Sequence, residues 1–319
     1  MARDRLSALD DILLSGHILS KLPLRDVVRC SILSRRWRSL WILLPHLKFS
    51  NDDFKEKIVD NILFFHQAEL ESLEISLIYR YLSEERNINR LIWKSLRAAS
   101  LKKVEKITLK NDTFSLHVPR STDVRTALHI PTSLFSCDRL TFLAIKCFQL
   151  KLPSYFSGFR YLKTCFILSI NIIDDMLEQL AAKCPLLERL TVGCCRVGVK
   201  FLKISAINLK YFDFVGNLHT NWLRLTVNCP KLVNVQIYDC PPKLRLELNS
   251  CRVLHLSATE LHVLEGLSSR NLLRKITLFG LSTRVPSLTV LGRFPNLEKL
   301  CIGIKSCEVR TSLTFIFLS

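Results

Sequence analysis

The sequence predicts an α/β repeat, a curved parallel sheet with helices and loops on its convex side, preceded by a short segment of three helices. Three observations carry this prediction. Leucine supplies 59 of the 319 residues, against nine glycines. One apolar phrase, L-x-x-L-x-L or a close copy, recurs ten times along the chain. The first fifty residues depart from it and carry apolar side chains at helical intervals, interrupted by Gly16 and Pro23.

The phrase appears as LESLEI (70–75), VEKITL (104–109), LTFLAI (140–145), LKTCFI (162–167), LERLTV (187–192), LKYFDF (209–214), LVNVQI (232–237), VLHL (253–256), LRKITL (273–278) and LEKLCI (297–302). Its alternating half is a short strand with apolar side chains turned inward, so the residue between the last two apolar positions faces out on the concave side. Those outward residues are Glu74, Thr108, Ala144, Phe166, Thr191, Asp213, Gln236, His255, Thr277 and Cys301. From Ala144 onward they recur every 19 to 25 residues, within the range of leucine-rich repeats. One unit cannot bury its apolar face alone, whereas stacked units share a continuous leucine core. Cys137, Cys184, Cys229 and Cys251 lie just before strand phrases and read as small core residues in that stack. Segment 174–184 has helical spacing, so at least one convex connection is a helix, with Asp174 and Asp175 at its start. The concave candidates for contact with a protein target are Glu74, Thr108, Thr191, Asp213, Gln236, His255 and Thr277.

Composition narrows the function classes. Hydrophobic residues at 48% and charged ones at 23% exclude a disordered chain. The longest uncharged apolar stretch, 164–173, is half a membrane span, and MARDRL has no apolar signal region. A cytosolic or nuclear protein with reduced thiols is expected, and the sequon at Asn111 reads as a polar turn. The formal charge of +18 favours acidic or nucleic-acid partners, but it is dispersed rather than gathered in a stripe, so nucleic acid is the less favoured partner. Catalytic motifs are missing: the nearest phosphate-loop candidate, GCCRVGVK (193–200), has valine in the lysine position. No C-x-x-C pair exists and Cys194–Cys195 suits no zinc site, so neither a metal nor another cofactor is expected.

In the amino-terminal segment, Ser34 is placed to cap a helix bearing Trp37, Leu40 and Trp41. Three short helices are too few to bury a core alone, so they dock on the repeats or offer an apolar face to another protein. Residues 4–52 resemble the F-box of plant F-box/leucine-rich-repeat proteins. The matching stretches are Asp4–Leu9, Ile18–Pro23, Asp26–Ser34 and Arg35–Trp41, and the repeats continue the likeness along nearly the whole chain. The resemblance implies an F-box at 1–50 and a repeat solenoid at 51–319. It also implies a non-catalytic receptor that binds an SKP-type adaptor, and through it a cullin scaffold, while the solenoid recruits a protein target for ubiquitination. By motif match, Leu9, Ile18, Leu19, Leu22, Pro23, Val27, Val28, Leu33 and Trp37 form the adaptor-facing or helix-packing set. Trp41 and Leu44 fall toward the repeats, and Arg35, Arg36 and Arg38 form a solvated face or an interface rim.

Two departures from the family pattern stand out. Asp10 replaces the proline after Leu9, and Ser15-Gly16 adds one residue before Ile18. An extra residue rotates a downstream α-helical face by about 100°, which would weaken adaptor binding. A repeat scaffold with impaired adaptor recruitment, or a basic nucleic-acid binder, are the alternatives. Many relatives continue into a further small domain, whereas TSLTFIFLS closes this sequence with an apolar end expected to be aggregation-prone.

Overall fold

The computed structural model describes residues 6, 8–50, 55–77, 85–111, 128–168, 175–193, 201–216, 222–238, 243–257, 264, 267, 272–281, 294–304 and 313–317. The chain divides into two compact units, Met1–Phe159 and Arg160–Ser319.

The first unit opens with a helical head. Helix α1 (Asp11–Leu13), a π-helical turn (Leu14–Ile18) and a 3₁₀ turn (Leu19–Lys21) form one continuous run. Two short helices come next, α2 (Leu24–Cys30) and α3 (Arg35–Leu40). The predicted cap is present: Ser34 Oγ accepts from the Trp37 N–H at 3.3 Å. The chain then enters β1 (His46–Phe49), α4 (Glu56–Phe65), β2 (Ser72–Leu77), α5 (Glu85–Leu101), β3 (Lys106–Asn111) and β4 (Phe142–Lys146). These four strands are parallel and ordered β1-β2-β3-β4. Because parallel neighbours require a crossover, the 17-residue α5 accounts for the wide spacing between the first two phrases. Strand β1 carries no phrase, yet Leu47 and Phe49 are buried and pair with Leu73 and Ile75. The head therefore runs directly into the first rung of the sheet.

The second unit contains β5 (Thr164–Leu168), α6 (Met176–Ala182), β6 (Arg189–Gly193), β7 (Phe201–Ser205), β8 (Tyr211–Val215), β9 (Trp222–Asn228), β10 (Asn234–Tyr238), β11 (Lys243–Leu248), β12 (Val253–Ser257), β13 (Lys275–Leu281), β14 (Lys299–Ile304) and β15 (Leu313–Phe317). One sheet runs β5-β6-β8-β10-β12-β13-β14-β15, parallel until β15, which returns antiparallel along β14. All ten phrases are strands, and the repeat alignment coincides with the hydrogen-bond register. Glu74 pairs with Thr108, and Thr108 with Ala144; in the second unit Phe166, Thr191, Asp213, Gln236, His255, Thr277 and Cys301 succeed one another across the rungs. Their flanking residues (Leu190, Val192, Phe212, Val235, Leu254 and others) are buried. Each such side chain contributes about 1.5–3 kcal/mol when fully buried.

The connections differ from the expected helices and loops. Helix α6 forms as the spacing indicated, but β7, β9 and β11 form a second parallel sheet in the order β11-β9-β7. Leu202, Ile204, Leu223, Leu225, Leu244 and Leu246 fill its inner face, so this stretch is a sheet-on-sheet sandwich. The segments FLKIS, WLRLTVN and KLRLEL alternate as strands do, but they lack the longer phrase. Asp175 stands at the start of α6 with a left-handed φ of 65°; its carbonyl accepts from the Gln179 N–H at 2.8 Å, but its side chain makes no cap hydrogen bond. Its partner Asp174, Cys194–Cys195 and most of segment 193–200 lie outside the described residues.

Gly193 itself ends β6, where a Cβ would fall 2.8 Å from Leu168 Cδ2 and 3.0 Å from Val215 Cβ. Close packing between rungs therefore explains this glycine without any phosphate-binding role. Gly193→Ala should destabilise the second unit by about 1–3 kcal/mol through overpacking, read as a lower urea midpoint at unchanged slope.

Candidate functional site

The head is built around a small interior of Leu14, Leu19, Leu24, Val27, Trp37, Leu40 and Leu44. Three members of the motif-matched set, Leu19, Val27 and Trp37, thus pack inward, with Trp37 only 8% exposed. For these three the helix-packing alternative of the motif match is the one the geometry favours, because a side chain enclosed in the head offers little surface to a partner. Leu9 and Ile18 are half-buried, whereas Leu22, Pro23, Val28 and Leu33 are exposed. Three residues that motif matching missed join them: Ile12 at 79%, Ile32 at 83% and Leu13 at 41% exposure. The head thus leaves the aliphatic or proline side chains of Ile12, Leu13, Leu22, Pro23, Val28, Ile32 and Leu33 open to solvent.

Both departures in the first helical run have a structural resolution. Asp10 takes over the helix start, its Oδ1 accepting from the Leu13 N–H at 2.7 Å as an N-cap. The added residue falls inside the π turn, where the Leu19 N–H donates to the Leu14 carbonyl five residues back. A turn closed over five residues holds one residue more than an α turn, which works against the rotation of about 100° that an insertion into a regular α-helix would cause. Ser15 Oγ donates to the Asp11 carbonyl at 2.7 Å and Ser20 Oγ to the Gly16 carbonyl, holding the turn. Gly16 borders an open cleft of about 480 Å³, lined also by Ser15, His17, Pro45, His46 and Glu71. Arg36 leaves the expected solvated face to clamp α3 onto the first turn, donating to Asp11 Oδ1 at 2.7 Å and to the Leu9 carbonyl.

The head is tied to the sheet within the first unit. Gln67 N–H donates to the Ile42 carbonyl at 2.9 Å and Glu71 N–H to the Pro45 carbonyl at 2.8 Å. Trp41 meets Phe65 edge-on at 6.5 Å. Buried His66 places Nε2 2.7 Å from the Leu44 carbonyl, so that nitrogen carries the proton and donates. Burial holds this imidazole below its ordinary 6.5, opposed by the Leu44 hydrogen bond and assisted by nearby Lys102.

The outward residues of the ladder are mostly part-exposed, as the alternation requires. In the first unit, Glu74 lies 3.5 Å from Lys48 Nζ and 3.3 Å from Lys110 Nζ, and Thr108 sits beside it. In the second, Thr191 Oγ1 donates to Asp213 at 3.0 Å, and Arg189 stacks over Tyr211 at 4.4 Å. Tyr238 OH donates to Gln236. His255 is lowered by burial and by Lys275. Thr191 and Thr277 are themselves buried, Thr277 at 4% exposure between His255 and Cys301, so they are corrected from contact candidates to floor residues. The second sheet adds an outward aromatic pair the phrase search missed, Phe201 and Trp222 at 5.1 Å. Cys137, Cys229 and Cys251 are buried, and burial pushes their thiols up to about 12, 11 and 12, as core residues rather than nucleophiles or ligands.

Comparison with known proteins matches the same two regions of the chain. The F-box domain model matches residues 12–48, and the model "FBD-associated F-box protein At5g56370, LRR repeats" matches 93–292. The chain belongs to the F-box/LRR-repeat family. Among the Arabidopsis thaliana relatives, it is 30% identical over 250 residues to F-box/LRR-repeat protein 13, covering 74% of this chain and 52% of that protein. It is 32% identical over 255 residues to F-box/FBD/LRR-repeat protein At5g56420, covering 74% and 56%. It is 34% identical over 198 residues to F-box/LRR-repeat protein At3g26922, covering 59% of each. The chain spans about half the length of the first two of these relatives.

Two substitutions probe the head of this F-box/LRR-repeat chain and its junction with the sheet. Gly16 lies in a helical turn, and a Cβ there would meet nothing within 4 Å. Gly16→Ala should therefore stabilise the first unit by about 0.5–1 kcal/mol in urea denaturation. His66 binds a proton more readily unfolded than folded, so its contribution is complete above pH 6.5 and is lost as pH falls below that value. The urea midpoint of the first unit should drop between pH 7 and 5, and His66→Gln should flatten that drop.

Proposed function

We propose that this chain is the substrate-recognition subunit of an SKP–cullin–F-box ubiquitin ligase. Family membership supports the reading, and the observation that carries it is the set of aliphatic side chains the head leaves in solvent, above all Ile12, Ile32 and Leu33. An SKP-type adaptor would cover this surface, with Leu22, Pro23 and Val28 in the same role and Leu9 and Ile18 at its margin. The buried Leu19, Val27 and Trp37 would hold the head in shape. The exposed Arg35 and Arg38 would form a basic rim that favours an acidic adaptor.

The mechanism is proximity rather than catalysis. The adaptor would link the head to a cullin and a loaded conjugating enzyme, while the ladder face holds the target. Keeping a target lysine near the thioester raises its effective concentration without any reacting group in this chain. The ladder residues Glu74, Thr108, Asp213, Gln236 and His255 are the proposed target contacts. Among the described residues no helix is long and apolar enough to cross a membrane, in keeping with a proposed cytoplasmic or nuclear location.

Co-purification with an SKP-type adaptor tests the reading. Ile32→Asp with Leu33→Asp should cut adaptor retention at least about tenfold while leaving the circular dichroism spectrum unchanged, since both side chains are already exposed. Trp37→Ala should also lose the adaptor, but with unfolding of the head. Full retention by the Ile32/Leu33 variant, or no retention by the unaltered chain, would overturn the proposal.

A further inference from the structure

The open cleft beside Gly16, about 480 Å³, falls within the roughly 300–1,000 Å³ of a ligand site and is built entirely from the first unit. Its lining joins the two parts of that unit. Ser15, Gly16 and His17 come from the π turn of the head, Pro45 and His46 from the entry into β1, and Ala68 and Glu71 from the approach to β2. Single π turns inside helices occur often at functional sites, and this one stands where Ser15-Gly16 departs from the family pattern. Gly16 adds no side chain to the wall, and a Cβ there would project into open space.

The lining differs in chemistry from the chain around it. Lysine and arginine outnumber aspartate and glutamate by 46 to 28, yet the lining holds two carboxylates, two imidazoles and neither lysine nor arginine. Asp11 is engaged, its Oδ1 accepting from Arg36 Nε at 2.7 Å. Glu71 keeps most of its acceptor capacity: its side chain is 61% exposed, and His46 Nε2 stands 3.9 Å away, beyond hydrogen-bond reach. The His46 ring is fixed on its other side, with Nδ1 3.0 Å from Ser72 Oγ. Lys102 reaches Ala68 but directs its ammonium to backbone, donating to the His66 and Ala68 carbonyls at 2.8 and 3.3 Å. Ile12 and Leu43 are exposed beside these polar groups, so the hydrocarbon arm of a cation has an apolar surface to follow.

We propose that this cleft receives an arginine side chain from a segment of another polypeptide. The stem would lie along Ile12, Leu43 and Pro45, and the guanidinium would meet the Glu71 carboxylate. Guanidinium fits better than ammonium, because its planar fork pairs with a carboxylate through two parallel hydrogen bonds and stacks on rings such as His17 and His46. It is also the more weakly hydrated cation, so it enters a partly apolar cleft at lower desolvation cost. The cleft is open along one side, which lets the backbone of the guest pass outside while a single side chain enters. This site is separate from the ladder, and the inference does not depend on adaptor binding.

The test titrates the full chain, labelled at its histidines, and follows the imidazole NMR signals of His17 and His46, assigned from His17→Gln and His46→Gln. Salt is held at about 150 mM, which screens the long-range repulsion between a basic chain and a cationic probe. The probes are Gly-Ser nonapeptides with one central arginine, lysine or citrulline, the last a neutral isostere of arginine, together with free agmatine. The arginine peptide should shift both signals saturably and bind at least about fivefold tighter than the citrulline peptide. Glu71→Gln should abolish that preference, whereas Glu298→Gln, a comparably exposed carboxylate in the second unit, should leave it within about twofold. Gly16→Leu, which places a side chain at the cleft wall, should weaken the arginine peptide by about tenfold or more. Equal binding of the arginine and citrulline peptides, or equal losses in Glu71→Gln and Glu298→Gln, would overturn the proposal. A lysine peptide that binds as tightly as the arginine peptide would overturn the choice of guanidinium, and agmatine binding as tightly would overturn a polypeptide as its source. Because no adaptor is present in the titration, loss of adaptor retention leaves this inference standing, and adaptor retention without peptide binding sinks only this one.

Discussion

The structure depends on burying one line of aliphatic side chains beneath every rung. A lone strand such as LERLTV has an apolar face it cannot hide, and pairing it in register with the next strand sets like faces side by side over a common core. This constraint explains why the spacing between phrases varies while the phrases themselves stay in register, the one shift, at Phe279–Leu281, falling after the phrase. Crossovers can be a 17-residue helix, a short strand or a loop, provided the next leucine arrives beside the last. It also explains Gly193, which has no room for a Cβ between its neighbouring strands, and the cysteines buried just before the strands.

Much of this architecture was legible because alternation and repetition reinforce each other. All ten strand phrases became rungs, and the residue aligned between apolar positions became the registered outward residue. The second sheet was not legible for the converse reason. Its strands alternate, but their spacing does not match the leucine phrase, and a helix or loop satisfies the same connection. Strand β1 was hidden because HLKF is too short to stand apart from the helices that precede it.

The head shows a different limit. Its motif identified the right segment but not which way each side chain faces. In helices this short, a residue's orientation depends on the neighbours that close over it. Val27 and Val28 are adjacent, yet one is enclosed and the other is not. The added residue near Gly16 would rotate a regular α-helical face, but hydrogen bonding has another way to accommodate it, and the backbone uses a π turn. Thr277 carries the same lesson on the ladder: it holds an outward register position and is nonetheless buried.

The central claim is a division of labour, with the head's exposed aliphatic side chains engaged by an adaptor and the ladder left open for a target. Hydrogen–deuterium exchange of the full chain, with and without a purified SKP-type adaptor, tests it most directly. Such a division predicts adaptor-dependent protection confined to the head, centred on residues 12–13 and 28–33, with the strand amides unchanged. Protection along the ladder strands with none in the head would contradict it.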